Sequence, residues 1–566
     1  MLHDPSLESA STLNSPNPAL VTQRAVQRLP RIALILLCAA YLLPGLFGRD
    51  PWKTADISAF GHMASIAQGR ASWIAPTVGG LPADPAVLPY SLGAASIKLL
   101  APWVDPALAA RIPFILLLAL VLNLTWLTTY HLARTEAAQP LPFAFGGEAH
   151  PVDYARAIAD GALLALIATL GLLQFGHETT PELVQLAAVT LYLYALAASP
   201  FRTIEPRLAM PVALVSLAAS GAPTMALVLG AIGVGIAWRS SYERVRGLVG
   251  WVVLAMALAV GVASALGAWQ WRLGSYASAS QVWLLVRLLA WFTWPAWPLV
   301  LWTLWRWRRH LLNRHMSVPL GCLLASVVAC ITMGGNDRAL MLGLPSMAVL
   351  AAFALPTLQR RASSAIDWFS VFFFSSGALV IWVVYVSMHT GVPAKPGANV
   401  ARLVPGFVPT YSTLSLVLAI AATSAWLWLV RWRSGRNRHP LWKSLVLPAG
   451  GVALCWLLLM TLMLPPLNHA RSFRSLVSRI AVYIPPDACI AAPGMPRGQV
   501  AALEYHGGYR VDAVTPARDS NCEFLLQVEA RERTAPTDSR WKLLARERRS
   551  NNDTEVTAVY RRRPPS

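Results

Sequence analysis

The run IALILLCAAYLLPGLF, residues 32–47, leads directly into GRDPWKTADISAFGHM, residues 48–63. An unbroken apolar run of this kind reads as a membrane anchor. Asp50, Lys53 and Asp56 then form an acid–base–acid cluster just where the chain leaves the bilayer. Such groups are either a solvated flank or one wall of a site at the membrane surface.

The whole chain has the composition of a bilayer protein. Of its 566 residues 55% are hydrophobic and only 13% charged, with 23 Trp, far from the balance of a soluble multidomain protein. The net charge of +20 does not imply a nucleic-acid partner, because Arg and Lys cluster in short segments between apolar runs, where they record membrane topology. Residues 1–30 are polar and carry Arg24 and Arg28, with Arg31 next. No small-residue cleavage site precedes GRDPWK, so the first apolar segment is expected to stay as an anchor. Cys38, Cys322, Cys330 and Cys455 fall in apolar segments, while Cys489 and Cys522 lie in a polar tail, where they are the two that could form a disulfide.

Apolar segments of near-spanning length occur at 31–48, 110–131, 157–175, 183–199, 206–220, 223–238, 248–267, 281–304, 317–333, 339–356, 366–388, 412–430 and 444–464. These thirteen predict an all-α polytopic membrane protein with termini on opposite sides. The loops AWRSSYERVRG, WRWRRHLLNRH, LQRRASS and VRWRSGRNRHPLWK fall on the N-terminal side and are strongly basic, which marks that side as cytoplasmic. GHETTPEL, SGAPT, WQWRLGSYASAS, MGGNDRA and the 389–412 loop fall on the other side, together with the first long loop, 49–109, and the tail. Three parts result: a cytoplasmic tail, 1–30; a membrane domain, 31–466, including loop 49–109; and an outer domain, 467–566.

Within the first loop, ISAFGHMASIAQG and VLPYSLGAASIKLLAPW have apolar spacing suited to short helices along the membrane interface. In the tail DACIAAPG, YRVDAV, CEFLLQVEA, WKLLARER and EVTAVYRRR read as strands and RGQVAALEYHGG as a helix closed by Gly. A small α/β domain follows. Cys489 and Cys522 each open a predicted strand, so neighbouring strands would bring them within bridging distance in an oxidising compartment.

Neither a phosphate-cradling Walker loop nor a dinucleotide glycine fingerprint occurs, nor HExxH or GxSxG. The spans hold few ionisable residues, Asp160 and Arg287 among them, which weighs against an ion-coupled carrier. The polar residues gather instead on the outer face. Asp50, Lys53, Asp56 and Asp84 come from the first loop, His177, Glu178 and Glu182 from GHETTPEL, and Asp337 and Arg338 from GGNDRALMLG. Converging above a bundle, they would offer carboxylates for proton abstraction and cations for an anionic headgroup.

The chain resembles the GT-C glycosyltransferases of the aminoarabinose transferase and protein O-mannosyltransferase type. The resemblance rests on DPWKTADISAFG, WIAPTVGG followed by LPYSLGA with its Tyr90, AARIP, GHETTPEL, WFTWPAWPLVLWTLWRWR and RALMLGLPSMAVLAA. It extends over most of the chain. It implies transfer of a sugar, with inversion, from an undecaprenyl-phosphate carrier to a glycan, lipid A or a protein at the periplasmic face of a bacterial inner membrane. It further implies that Asp56, with Asp50 beside it, deprotonates the acceptor hydroxyl. Substrate binding would fall to Lys53, Asp84, Tyr90, His177, Glu178, Glu182, Asp337 and Arg338. Two positions depart from the pattern. Relatives carry adjacent acids after Trp-Lys where this chain has Ala55 and Asp56, and ADPAVLPY replaces their Glu-Lys-Pro-Pro segment, so Asp84 stands in for the glutamate and the lysine has no counterpart.

Each residue also has a plainer reading. Asp56 suits a helix N-cap, Asp50 before Pro51 a turn, and Lys53 a snorkelling membrane-edge cation. Asp337 is the obvious partner of Arg338, and the Trp-rich run 291–307 suits an interface anchor. One His in GHETTPEL is too few to specify a metal site, so no metal ligand is assigned and a divalent ion stays open as cofactor. The rival functions are a lipid-binding membrane protein of the same fold without catalysis, and a lipid or solute transporter.

Overall fold

The structure is a computed structural model that describes residues 17–270, 273–274, 278–434, 440–530, 540–549 and 555–563. Each of the thirteen predicted segments coincides with a helix or a broken pair of helices. Among the described residues seven helices are long and apolar enough to cross a membrane: Pro106–Ala133, Pro181–Ala198, Glu243–Ala265, Arg314–Thr332, Arg361–Thr390, Thr413–Arg433 and Lys443–Thr461. The segment 281–304 is two helices, Ala279–Phe292 and Ala296–Arg306, bent by 89°. The protein is a multi-pass membrane bundle with a small C-terminal sheet domain.

Local chemistry sets the helix ends. Pro106, Pro151, Pro181 and Pro223 each occupy the first turn of a helix, where a missing N–H costs nothing. Asp105 caps Pro106–Ala133, accepting from the backbone N–H of Ala107 at 3.0 Å and of Leu108 at 3.3 Å. The first segment is shorter than its apolar run predicts. Helix Arg31–Leu42 stops before Pro44 and Gly45, whose φ of +83° is left-handed; the chain then turns into the charged cluster. Alanine-rich helices Pro151–Ala168 and Pro181–Ala198 are buried over most of their length, as small residues allow in a bundle where backbones approach closely. Asp160, one of the few acids inside a span, accepts from Trp126 Nε1 at 2.8 Å. Residues 17–29 are tied down: Thr22 bridges to Glu148, and Trp442 Nε1 donates to the Gln27 carbonyl at 2.7 Å.

The C-terminal sheet has the order β4-β3-β5-β7-β6, with β3 Cys489–Ala491, β4 Arg510–Asp512, β5 Phe524–Ala530, β6 Trp541–Glu547 and β7 Glu555–Arg562. β3 runs parallel to β4 and β5, while β7 is antiparallel to β5 and β6. Parallel β3 and β4 require a crossover, supplied by helix Arg497–Gly507, which ends at the left-handed Gly508, φ +67°. Cys489 and Cys522 are joined, with Cα atoms 5.0 Å apart.

The first loop forms the two short helices that its apolar spacing predicts. Its helices Lys53–Ala67 and Val87–Leu100 flank a short hairpin of β1 Thr77–Val78 and β2 Leu81–Pro82. Helix Lys53–Ala67 is buried over most of its length. It is packed between Val87–Leu100 and the crossover helix, with Ile57, Phe60, Met63 and Ile66 buried and Asp56, His62 and Ser65 buried beside them. Contact with the crossover helix is close, since a Cβ at Gly61 would stand 2.4 Å from that of Ala501.

Candidate functional site

Asp56 lies in the first turn of Lys53–Ala67 and is 1% exposed. Its Oδ2 accepts from the backbone N–H of Trp52 at 3.0 Å; Trp52, not Asp56, is the N-cap residue, so Asp56 reaches back to the helix start from inside the first turn rather than capping it. Its Oδ1 accepts from both the N–H and the hydroxyl of Thr179, each at 2.9 Å. Arg49 Nη2 stands 3.7 Å from Oδ2 and donates to the carbonyl of His177. The opening cluster is therefore docked onto the GHETTPEL loop.

Arg338 reaches the same loop from the other side. Its Nη2 donates to Glu178 Oε2 at 2.5 Å, and its Nη1 to Thr180 Oγ1 at 2.9 Å and Glu182 Oε2 at 3.3 Å. The guanidinium also lies 4.8 Å from the centre of the Phe175 ring. Asp337 is thus not the principal partner that sequence adjacency suggested, although its charge acts on Arg338. Arg338 is held in place because Asn336 caps its short helix, accepting from the N–H of Arg338 at 2.9 Å. Burial raises the Glu178 carboxyl above the usual range, the nearby Asp56 adds to this, and Arg338 opposes it.

Loop 176–182 is thus gripped at consecutive residues: Glu178 by Arg338, Thr179 by Asp56, Thr180 by Arg338. The network continues sideways. Gln174 Nε2 donates to Glu178 Oε1 at 2.9 Å and Arg471 Nη1 to Gln174 Oε1 at 3.4 Å. Arg471 and Arg49 both lie against Trp52, 5.4 Å and 5.2 Å from its ring centre. The Trp52 Nε1 is fixed by Asn468 Oδ1 at 2.8 Å.

Other expected site residues lie elsewhere. Asp50 faces Arg474, which donates to its two oxygens at 3.0 Å and 2.8 Å. Burial disfavours the Asp50 carboxylate, but the Arg474 bonds and charge, with Ser472, outweigh it and hold the carboxyl below its usual range. Asp84 pairs with Arg497 at 3.0 Å. Both acids join the first loop to the C-terminal domain. Tyr90 packs against His62 at 5.4 Å, inside the loop. His177 is buried with Nδ1 2.7 Å from the Leu173 carbonyl and Nε2 2.9 Å from that of Tyr41. Burial and the neighbouring Arg49 pull its pKa down to about 4, against the two carbonyl contacts, which favour the protonated ring; its place between Leu173 and Tyr41 makes it a packing group. The Lys53 side chain lies outside the described residues.

Arg49, Gln174, Thr179 and Arg471 were not singled out from the sequence. Arg49 was within the opening cluster and had a signal, a second cation beside a turn-forming acid. Arg471 had none, because it stands 297 residues from Gln174. Arg49 Nε and Nη1 and Arg111 Nε, from AARIP, are buried without a hydrogen-bond partner among the described residues. No group of three His, Cys, Asp or Glu placed to hold a metal occurs among the described residues.

Beside this network an apolar groove of about 640 Å³ is lined by Leu170, Leu173, Phe369, Phe373, Val380 and Val452, among others. Its wall, helix Leu170–Phe175, runs directly into the gripped loop.

A fold of this kind, a many-helix membrane bundle capped by a polar network and a small C-terminal sheet domain, matches solved structures over nearly its whole length. Crystal structures of ArnT from Cupriavidus metallidurans align with a TM-score of 0.61 at 14% identity when bound to undecaprenyl phosphate, spanning 94% of this chain and 98% of that one. In the apo state the values are 0.60, 15%, 94% and 96%. The protein shares the fold of these structures, as the sequence resemblance implied. No protein-family model matches the sequence, and no curated protein is significantly similar to it.

Proposed function

We propose that the protein is a glycosyltransferase that moves a sugar from a polyprenyl-phosphate carrier to an acceptor at the periplasmic face of a bacterial inner membrane. The convergence of Asp56, Glu178, Arg49 and Arg338 on one outer loop, within the fold of a protein solved with undecaprenyl phosphate bound, supports this reading. Asp56 is the general base, taking the proton of the acceptor hydroxyl in place of the Thr179 hydroxyl it now holds. Attack then inverts the anomeric carbon as the carrier phosphate departs.

Cations must meet the charge that builds on that phosphate. Arg338 has two carboxylate partners, whereas Arg471, half-buried beside Trp52, has none among the described residues. Arg471 is therefore the phosphate-holding group, joined by Lys53 as the sequence resemblance implies, and the apolar groove beside Leu170–Phe175 takes the prenyl chain. The N-terminus is cytoplasmic and the C-terminal domain periplasmic. The acceptor is lipid A, another envelope glycan or a protein.

The three hydrogen bonds that Asp56 accepts within the protein and the alanine at position 55 favour one rival, a lipid-binding protein without catalysis. Mass spectrometry of lipid A and undecaprenyl-linked species separates the two. Asp56→Asn cells should reproduce the glycan profile of a full deletion. A profile identical to wild type would sink the enzyme reading.

A further inference from the structure

A second polar cavity, of about 550 Å³, lies at the far end of the bundle from the site just described. Arg111, near the start of Pro106–Ala133, belongs to the outer network, while Thr135, just past the other end of that helix, lines this cavity. A helix of 28 residues spans about 40 Å at 1.5 Å per residue. The cavity is therefore a separate feature. Its walls offer Arg239, Ser240, Ser241, Asn313, Arg314 and Ser317, with Glu136 exposed at its rim.

Arg314 carries the inference. Its Nη2 donates to the carbonyl of Leu196 and, at 2.8 Å, to Ser199 Oγ. Its Nε is buried without a partner, and no carboxylate pairs with it among the described residues. A part-buried cation whose charge is met only by a carbonyl and a hydroxyl is costly. It lines an open cavity beside a second arginine and three serine hydroxyls, the donor set that recognises phosphate oxygens. The apolar wall, Ile232, Ile236 and Leu312, continues to the exposed surface, where Leu312 is 80% and Trp238 78% exposed. We propose that this cavity binds a phosphate ester, carried by the headgroup of an anionic phospholipid whose acyl chains lie against Ile232, Ile236 and Leu312.

Native mass spectrometry of the full chain in detergent micelles tests this, with phosphatidylglycerol and diacylglycerol of identical chains as probes and thermal shift with glycerol 3-phosphate as the soluble arm. Wild type should retain a phosphatidylglycerol adduct that diacylglycerol does not form. Arg314→Gln should weaken that adduct about tenfold or more. Gly235→Leu keeps Arg314 and fills the cavity, and it should fold, because a Cβ at Gly235 meets no atom within 4 Å; it should weaken the adduct equally. Equal binding of diacylglycerol, or an unchanged adduct in folded Arg314→Gln or in Gly235→Leu, overturns the proposal. Stabilisation by glycerol 3-phosphate without lipid retention upholds the phosphate-ester site and overturns its lipid source.

Discussion

Asp56 Oδ1 holds Thr179 by both its backbone N–H and its hydroxyl, at 2.9 Å each, so the carboxylate nearest the expected chemistry is also the latch between the first loop and the 176–182 loop. The two roles separate by mutation. Thr179→Val removes one of the two bonds and leaves the backbone bond; it should cost about 1 kcal/mol of stability and retain transfer activity. Asp56→Asn replaces the base with an amide and should lower turnover by about 10² to 10⁴. Comparing melting temperature with turnover in the two variants checks this.

The Glu178–Arg338 pair predicts non-additivity. Glu178 is 1% and Arg338 16% exposed at the side chain, so Arg338→Met leaves an uncompensated buried carboxylate and should destabilise by about 3–5 kcal/mol. Adding Glu178→Gln should recover much of that loss. A double-mutant cycle by chemical denaturation measures the coupling, and additive effects would contradict the pairing.

Asp50 and Arg474 should shape the acid limb of stability. The Asp50 carboxyl is held below its usual range by Arg474 despite burial, so the folded state binds its proton less tightly than the unfolded chain. Its contribution is present above the unfolded pKa, about 3.9, and disappears as pH falls through the lower folded value. Arg474→Gln should therefore lose stability at pH 6 and approach wild type below about pH 4. Thermal unfolding across that range is the measurement. A constant difference at all pH values would refute the assignment.

Gly61 sets how closely the Asp56 helix meets the C-terminal domain. A Cβ there would approach Ala501 Cβ to 2.4 Å, and two backbone-borne groups cannot simply rotate away. Gly61→Val should cost about 1–3 kcal/mol and speed limited proteolysis between the membrane bundle and the C-terminal domain. It should also reduce turnover, because Asp56 moves with its helix.

The membrane bundle and the tail domain were legible from the residues alone, since apolar run length, basic loops and alternating strands act locally. Thirteen segments and five strands fell where pattern placed them. The candidate site was legible in its residue types, because charged residues collect in the loops between apolar segments. It was not legible in its pairings. Arg338 bonds Glu178, 160 residues away, rather than neighbouring Asp337. Asp50 and Asp84, expected beside Asp56 in the site, turn to Arg474 and Arg497.

The burial of Lys53–Ala67 also had no local signal, because a helix with small residues on several faces reads alike at a lipid interface and between two helices. Sequence by itself determined where the chain is apolar, which side gathers charge and which segments are helix or strand, because those depend on residues within one or two turns. Tertiary structure alone decided which carboxylate meets which guanidinium. Ion pairing across hundreds of residues depends on how helices pack and loops close, and the free energy of each pair is set by the burial that packing creates.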